Sequence, residues 1–526
     1  MKNKYLAFLV LLSMLGTSCS SVSDFSSQGS NGENIDEEEA LSSDQTEVIY
    51  STDESGFCSF EVDDVEPNTY DGKNKLVYLT NYDAFAVSID QEIIYDEVAI
   101  ENAVNDYLDE KGYDFYVDFI LNGEMDYITE ELNQNFDLYE QMIENGEQVD
   151  IVNTGYSFEY FDGYADTFDL FVENGYLEPL NDYFESELGE TFYNQFDELV
   201  WAQTTTFDGV IYAKSSIYDL AVPLVLTFDE SSCESYNLDI SSIERIEDLE
   251  PYLDSFASDG YSGLYHSPDI GLYYEILGFY KYNGIFINAE TGEPENIFEN
   301  ETAIEYFKLI NDYVEKGYIT NEMNEYLPLI CSVDIAMPLY NSISTVISKG
   351  YLQEESINCA VGISSCSENK ESAFELLALL NTDEELAELI YNGVEGRNYT
   401  VIDGVKCLNY HALPFYDVNE TMTNPIIADS NSNDNPQKSE DIELCNENSE
   451  ISAYYKFEVS DDLQAKLDTI AEIYDEFYGL FYGDYGDYSG YEDMLESANE
   501  KLDAADIDNA LDETNNQLEK FVHFNS

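Results

Sequence analysis

The sequence predicts an α/β protein of two lobes with helical additions at its C-terminal end. Strand and helix patterns alternate without a break across residues 75–153, as in a layered parallel sheet. The 526 residues, 44% of them apolar, can fill more than one core, so a second lobe is expected. Toward the end, apolar residues recur at steps of three and four, as helices require.

The elements follow in order. Leu76-Val-Tyr-Leu-Thr80 is a short buried strand that ends in Asn81-Tyr82-Asp83. Asp90 can cap the next helix, where Ile93, Ile100, Val104 and Leu108 share a face before Gly112. Phe115, Val117, Phe119 and Leu121 alternate as a second strand. Ile128, Leu132, Phe136, Tyr139 and Ile143 mark a second helix that stops at Gly146, and residues 149–153 form a third strand. Parallel strands in this succession need right-handed crossovers. Residues 210–213 and 221–226 read as strands. Over 303–316, Ile304, Phe307, Ile310 and Val314 make a helical stripe closed by Gly317. A short strand at Ala336-Met337, a strand at 357–363 and a helix at 371–380 come next. Thr382-Asp-Glu-Glu385 is a capping box for a helix that Gly393 terminates. Residues 429–441 are a polar loop. Leu463, Leu467, Ile470, Tyr474 and Phe477, then Ile507, Leu511, Leu518 and Val522, are the terminal helical faces.

Charge narrows the partners. With 111 acidic against 19 basic residues the net charge is −92, which excludes nucleic acid, whose phosphates need Lys and Arg. It also disfavours docking on an anionic membrane surface. Screening within about 8 Å at physiological salt keeps this field from describing any one pocket, and solubility is its general effect. The 45 tyrosines, beside 29 Phe and one Trp, suit both wet binding surfaces and core filling.

The N-terminus carries Lys2 and Lys4, an apolar run from Tyr5 to Leu15, and Gly-Thr-Ser before Cys19. This is the layout of an export signal, and the apolar run is too short to span a bilayer as a helix. It resembles a bacterial lipoprotein signal over residues 1–19, which implies acylation of Cys19 and a lipid-anchored protein on the outer face of the cytoplasmic membrane. Leu15 lies four residues before the cysteine, one more than such signals usually have. Residues 20–72 are polar and acidic without apolar periodicity, as expected of a disordered tether. Seven further cysteines leave at least one thiol unpaired. Spacing leaves Cys359–Cys366 and Cys407–Cys445 open as bridges and offers no C-x-x-C metal motif.

No catalytic or cofactor motif emerges. The three histidines, His266, His411 and His523, lie outside any H-E-x-x-H pattern, and there is no G-x-S-x-G elbow, Walker or dinucleotide glycine motif. Ser367-Glu-Asn-Lys370 matches S-x-x-K in form only, and Ser367 reads better as a helix cap. Asp484, Asp487 and Glu492 depart from EF-hand spacing and read as a solvated turn rather than a metal site. A glycosidase carboxylate pair cannot be singled out among so many acids, so a surface hydrolase stays as the alternative.

Several stretches together resemble extracellular solute-binding proteins of family 1, the sugar-binding type of bacterial ABC importers. They are Val149-Asp-Ile-Val-Asn-Thr-Gly-Tyr-Ser157, Asn174-Gly-Tyr-Leu-Glu-Pro-Leu180, and Trp201 through Asp208-Gly-Val-Ile-Tyr212. Cys359-Ala-Val-Gly-Ile-Ser-Ser with Asn369-Lys-Glu-Ser-Ala-Phe-Glu-Leu-Leu follows, then Gly393-Val-Glu-Gly-Arg-Asn-Tyr399 and the terminal Glu513, Gln517, Phe521 pattern. The match is one of order across residues 75–524. It departs in lacking proline at Ala213-Lys214 and in having a single Trp.

The resemblance implies a periplasmic-binding-protein-like (type II) fold with a hinge. Lobe one is expected at 73–212 with a return segment at 330–357, lobe two at 213–329 continued by 358–428, and a helical region at 429–526. It also implies capture of a small solute, a sugar or a peptide, and delivery to ABC permease subunits, without catalysis, cofactor or metal. Open parallel sheets bind ligands outside the carboxyl ends of their strands, which places Asn81, Tyr82, Asp83, Tyr156 and Ser157 at the ligand. The resemblance adds Tyr265, His266, Tyr340 and Asn341 from the second lobe. Arg397, one of two arginines, is a further candidate, with a carboxylate ion pair as its competing role.

Overall fold

The computed structural model describes residues 57–518, less 83–95, 124, 127–130, 133–134, 156–166, 207, 218–222, 269–270, 322–328, 336–342, 353–359, 403, 416–418, 433, 435–437, 453 and 456. Strand β1 (Asn74–Tyr82), helix α1 (Glu97–Lys111) and strand β2 (Phe115–Gly123) open the fold. β1 and β2 pair in parallel along their whole length. Ile100, Val104 and Leu108 of α1 are buried, and Gly112, at φ +90°, turns the chain out of the helix as glycine alone does cheaply. Helix α2 (Asn135–Asn145) leads to β3 (Ile151–Asn153), parallel to β1. Helix α3 (Glu198–Gln203) and β4 (Ala213–Ser215) complete the first pass.

A second sheet then builds from β5 (Leu224–Phe228), β6 (Leu264–His266), helix α4 (Glu301–Lys316), β7 (Ile319–Thr320), β8 (Cys331–Ile335) and β9 (Ile343–Val346). The chain returns through β10 (Gly350–Leu352) to β11 (Ala360–Ile363), helices α5 (Lys370–Thr382) and α6 (Glu384–Tyr391), and the hairpin β12 (Tyr399–Ile402)–β13 (Val405–Leu408). It leaves again through helix α7 (Lys438–Glu447) and β14 (Ser449–Ile451). Helices α8 (Asp461–Glu476), α9 (Tyr491–Ala504) and α10 (Ile507–Leu518) follow. The sheet orders are β2-β1-β3-β11-β4 and β7-β6-β8-β5-β9, one for each lobe.

Both faces of the first sheet are covered. Leu76 and Tyr78 pack with Ile100, Val117 and Leu376 on one side, while Val77 and Leu79 pack with Tyr139, Val152 and Phe171 on the other. Burial on two faces is why β1 reads as a continuous apolar run instead of an alternating one. In the second lobe, Leu226, Leu264 and Val333 share one core with Leu467, Ile470, Leu502 and Leu511. The C-terminal helices are therefore part of lobe two's core. Gly284 shows how close they come: a Cβ there would sit 2.1 Å from the Cβ of Ala471 on α8. Asn283 and Gly284, at φ +44° and +79°, form the tight turn of a hairpin that this contact leaves no room to enlarge.

The strand pairing reverses the expected assignment of the return segments. Residues 331–335 and 343–346 belong to the second sheet, and 360–363 and 213–215 belong to the first. A short apolar run declares a strand, whereas its partner is chosen by long-range pairing that carries no local mark. Three smaller expectations also change. Leu132 pairs with Met125 in a small ribbon, so the second helix begins only at Asn135. The cap of α6 is Asp383, which accepts from the amides of Glu385 and Leu386. The polar stretch at 429–441 gives way to α7 from Lys438.

The expected tether is shorter than 20–72. From residue 57 the chain is strapped along lobe one. A disulfide joins Cys58 to Cys407 on β13, and the Cys58 amide donates to the Leu408 carbonyl at 2.8 Å. This pairing excludes a Cys407–Cys445 bridge, and Cys366 is a free thiol. Asn409 then brackets Phe60, accepting from its N–H and donating to its C=O. Arg397 donates to the Asp63 carbonyl at 2.7 Å. On α1, Asn102 accepts from the Asn68 amide and donates to the Glu66 carbonyl, while the Tyr70 hydroxyl donates to Asp106 at 2.9 Å. Replacing Cys58 and Cys407 together with Ser is expected to cost about 2–5 kcal/mol of stability. The cost is read by calorimetry, with new proteolytic cleavage between residues 57 and 70. An unchanged melting point with the segment still protected would show the hydrogen bonds suffice alone.

Candidate functional site

The carboxyl ends of β1 and β3 are tied together by one buried side chain. Asn153 is 1% exposed. Its Oδ1 accepts from the Gly155 amide at 2.9 Å, and its Nδ2 donates to Thr421 Oγ1 at 3.2 Å and Thr80 Oγ1 at 3.5 Å. Its carbonyl receives the amide of Asn135, whose own Oδ1 accepts from Asn122. Thr154 exchanges bonds with Ala360 on β11, amide to carbonyl at 2.8 Å and amide to hydroxyl at 3.2 Å. Gly155, at φ +87°, then turns the chain out of the sheet. Polar side chains satisfied in this way form a stiff floor, because moving one member strands the others.

Lys214 extends this floor to the edge strand β4. It is fully buried, and Nζ donates to the carbonyls of Thr421 and Thr423 at 3.3 Å each, with the ring of Phe196 5.0 Å away. Beside it, Ser215 donates to Gln203 at 2.5 Å. The floor therefore meets the point where the chain leaves for lobe two.

The chain passes between the sheets after β4, between β9 and β11, and again through α7 and β14. Leu199, Val200 and Ala202 of lobe one pack with Ile217 from the first passage, Leu352 from the second and Ile442 from the third. The second and third passages also pair with each other, as β10 and β14 run parallel. One apolar cluster thus gathers all three connections between the lobes.

Of the expected ligand residues, Asn81 and Tyr82 end β1, in line with the floor, their side chains lying outside the described residues. Asp83, Tyr156, Ser157, Tyr340 and Asn341 lie outside the described residues altogether, as does Cys19. Tyr265 is half-buried on β6 between Thr320 and Ser332. His266 is fully buried with its ring 4.4 Å from that of Tyr273, and burial lowers its pKa to about 3. It is a neutral core histidine, which corrects its placement at the ligand.

Arg397 has a different task from the one expected. Nε and Nη2 form a two-pronged pair with Asp96 at 2.5 and 2.8 Å, and Nη1 holds the strap. Trp201 is core, its indole N–H donating to the Tyr193 carbonyl. Among the described residues no group of His, Cys, Asp or Glu is arranged to hold a metal ion, and Asp484 instead accepts from the Gly486 amide within its turn. Sequence reasoning missed Asn153, Lys214 and Thr421. A buried lysine in a chain so poor in bases was the one available signal.

Replacing Asn153 with Ala removes the bonds it makes to the Gly155 amide and the Thr421 hydroxyl. Urea unfolding is expected to show a loss of about 1–3 kcal/mol. A loss near zero would mean that the floor relaxes around the gap.

No protein-family model matches the chain. It is 24% identical over 293 residues to a protein of Streptococcus pneumoniae serotype 4 described as a carbohydrate ABC transporter substrate-binding protein. That alignment covers 49% of this chain and 57% of the relative, so the match spans little more than half of the relative's length. Among solved structures, an N-glycan transport solute-binding protein from Streptococcus pneumoniae is similar with a TM-score of 0.57 at 18% identity, over 86% of this chain and all (100%) of the other. The fold is that of a two-lobed solute-binding protein, as the sequence led one to expect.

Proposed function

We propose that the protein is an exported solute-binding protein that captures a sugar or oligosaccharide between its lobes and delivers it to the permease of an ABC importer. The observation that carries this reading is the pairing of a stiff polar floor at the strand ends with a hinge through which all three passages run. A floor that does not move and a hinge that does are what capture by lobe closure needs. Carbohydrate is favoured because both similar proteins are described by the transport of carbohydrate or N-glycan. Nothing in the described floor is arranged for bond cleavage, and the proposed role is binding alone.

Asn81, Tyr82, Asp83, Tyr156 and Ser157 are proposed to face the ligand from lobe one, with Tyr265, Tyr340 and Asn341 across from them. Tyr156 follows Gly155 directly, so the Asn153 network fixes the point from which it starts. The mature protein with a neutral high-mannose N-glycan at 100 times its dissociation constant should gain about 2.7 kcal/mol of stability. Tyr156→Ala should weaken that binding by roughly 1–3 kcal/mol in calorimetric titration, with the ligand-free melting point little changed. A sharp drop in that melting point with unchanged affinity would make Tyr156 a core residue, and cleavage of the glycan would favour a hydrolase.

Cys19 is proposed to carry the lipid that holds the protein on the outer face of the cytoplasmic membrane. The strap then gives lobe one to the anchor and leaves lobe two to swing. Cys19→Ala should release the protein from the membrane fraction or leave it unprocessed. Normal processing with full membrane retention would remove the lipoprotein reading.

A further inference from the structure

A shallow, open cavity of about 330 Å³ lies at the edge of lobe two, just past the carboxyl end of β9. Glu275, Val346, Ser348, Tyr351 and Asn448 are among the residues that line it. The volume lies at the lower end of the range for small-molecule sites. Val346 pairs with Val225 at the same sheet end as Leu224 and Ile335, so the cavity stands at the strand-end edge where open sheets take ligands.

Glu275 is the unusual member. It is only 4% exposed although it borders the cavity. Ser348 Oγ accepts from the Leu224 amide at 2.7 Å, which leaves its hydrogen for Glu275 Oε2 at 3.4 Å. Lys349, also on the wall, is paired with Glu450 instead. The ring of Tyr351 is held by Tyr280, 4.9 Å away, and gives the cavity a fixed aromatic side.

We propose that this cavity is a lobe-two subsite for one neutral, hydroxylated ring of the ligand, with Glu275 as its specificity-determining residue. The proposal rests on the solute-capture reading above. A neutral carboxyl carries an O–H donor and an acceptor, the same complement that a sugar hydroxyl presents in return. Burial pushes the Glu275 carboxyl well above the usual carboxylate range, so the cavity favours this neutral form. A ligand bearing its own carboxylate would bring a negative charge toward Glu244, which also lines the cavity. Lys349, the base on the same wall, is already paired with Glu450 and so offsets little of that repulsion. The subsite therefore discriminates neutral from acidic sugars.

The test is calorimetric titration of the wild-type protein, Glu275→Gln and Glu275→Ala. The probes are a neutral high-mannose N-glycan and a sialic-acid-capped N-glycan. The wild type should bind the neutral glycan more tightly than the acidic one. Glu275→Gln, which keeps a neutral donor and acceptor, should stay within about twofold of the wild type on the neutral glycan. Glu275→Ala should weaken it about tenfold. Wild-type affinity in Glu275→Ala overturns the subsite alone, and equal losses in both variants overturn the neutral-acid role. If the wild type binds neither glycan, the carbohydrate-capture reading falls and takes the subsite with it.

Discussion

A single buried carboxylate joins segments of lobe one that lie far apart in the chain. Asp150 is fully buried and accepts from the Val77 amide on β1 through Oδ2 at 2.8 Å. Its Oδ1 accepts from the Ser367 hydroxyl at 2.5 Å, beyond the end of β11, and its carbonyl receives the Ser364 amide. A charge removed from water is tolerable only where hydrogen bonds replace its hydration. The bonds from Ser364 and Ser367 exist only once β11 has returned from lobe two. The first sheet is thus finished by residues more than 200 positions after β3, and the intervening chain has to leave and come back.

β11 fits its slot tightly. Its four residues are all buried between β3 and β4. A Cβ at Gly362 would stand 2.8 Å from the Tyr212 carbonyl and 3.0 Å from Leu177, so glycine is what allows the strand to seat. The floor of the site inherits this fit, since Thr154 is bonded to Ala360, the first residue of that strand. The floor and the connections between the lobes consequently share one structural dependency, the return of the chain to its first sheet.

Charge contributes little to holding the molecule together. Pairs such as Lys466–Glu513 and Lys501–Glu476 lie at the surface, where an ion pair is worth about 0–1 kcal/mol. The stability lies in aromatic and aliphatic cores. Tyr78, Tyr139, Tyr273, Tyr313, Tyr454 and Tyr474 are among the largest fully buried side chains, so many tyrosines serve as core, as their abundance allowed. The bases largely taken out of water include Lys214 under the floor, Arg397 at the strap and Lys406 between Glu388 and Asp429.

The sequence by itself determined the existence of most elements and the α/β class, because periodicity and apolar runs are local signals. The stops of α1 and α4 could be read from Gly112 and Gly317, whose positive φ ends each helix. The carboxyl end of β1 was legible for the same reason, and with it one side of the candidate site. Tertiary structure alone decided which sheet each returning strand joins, since β8 and β11 carry similar apolar runs and differ only in distant partners. It alone decided that Cys58 finds Cys407 across 349 positions, that the chain from residue 57 lies along lobe one, and that His266 faces inward. The Asn153 floor and the Glu275 cavity were out of reach for a common reason. Each is built from residues scattered along the chain, and only packing brings their polar atoms within hydrogen-bond distance.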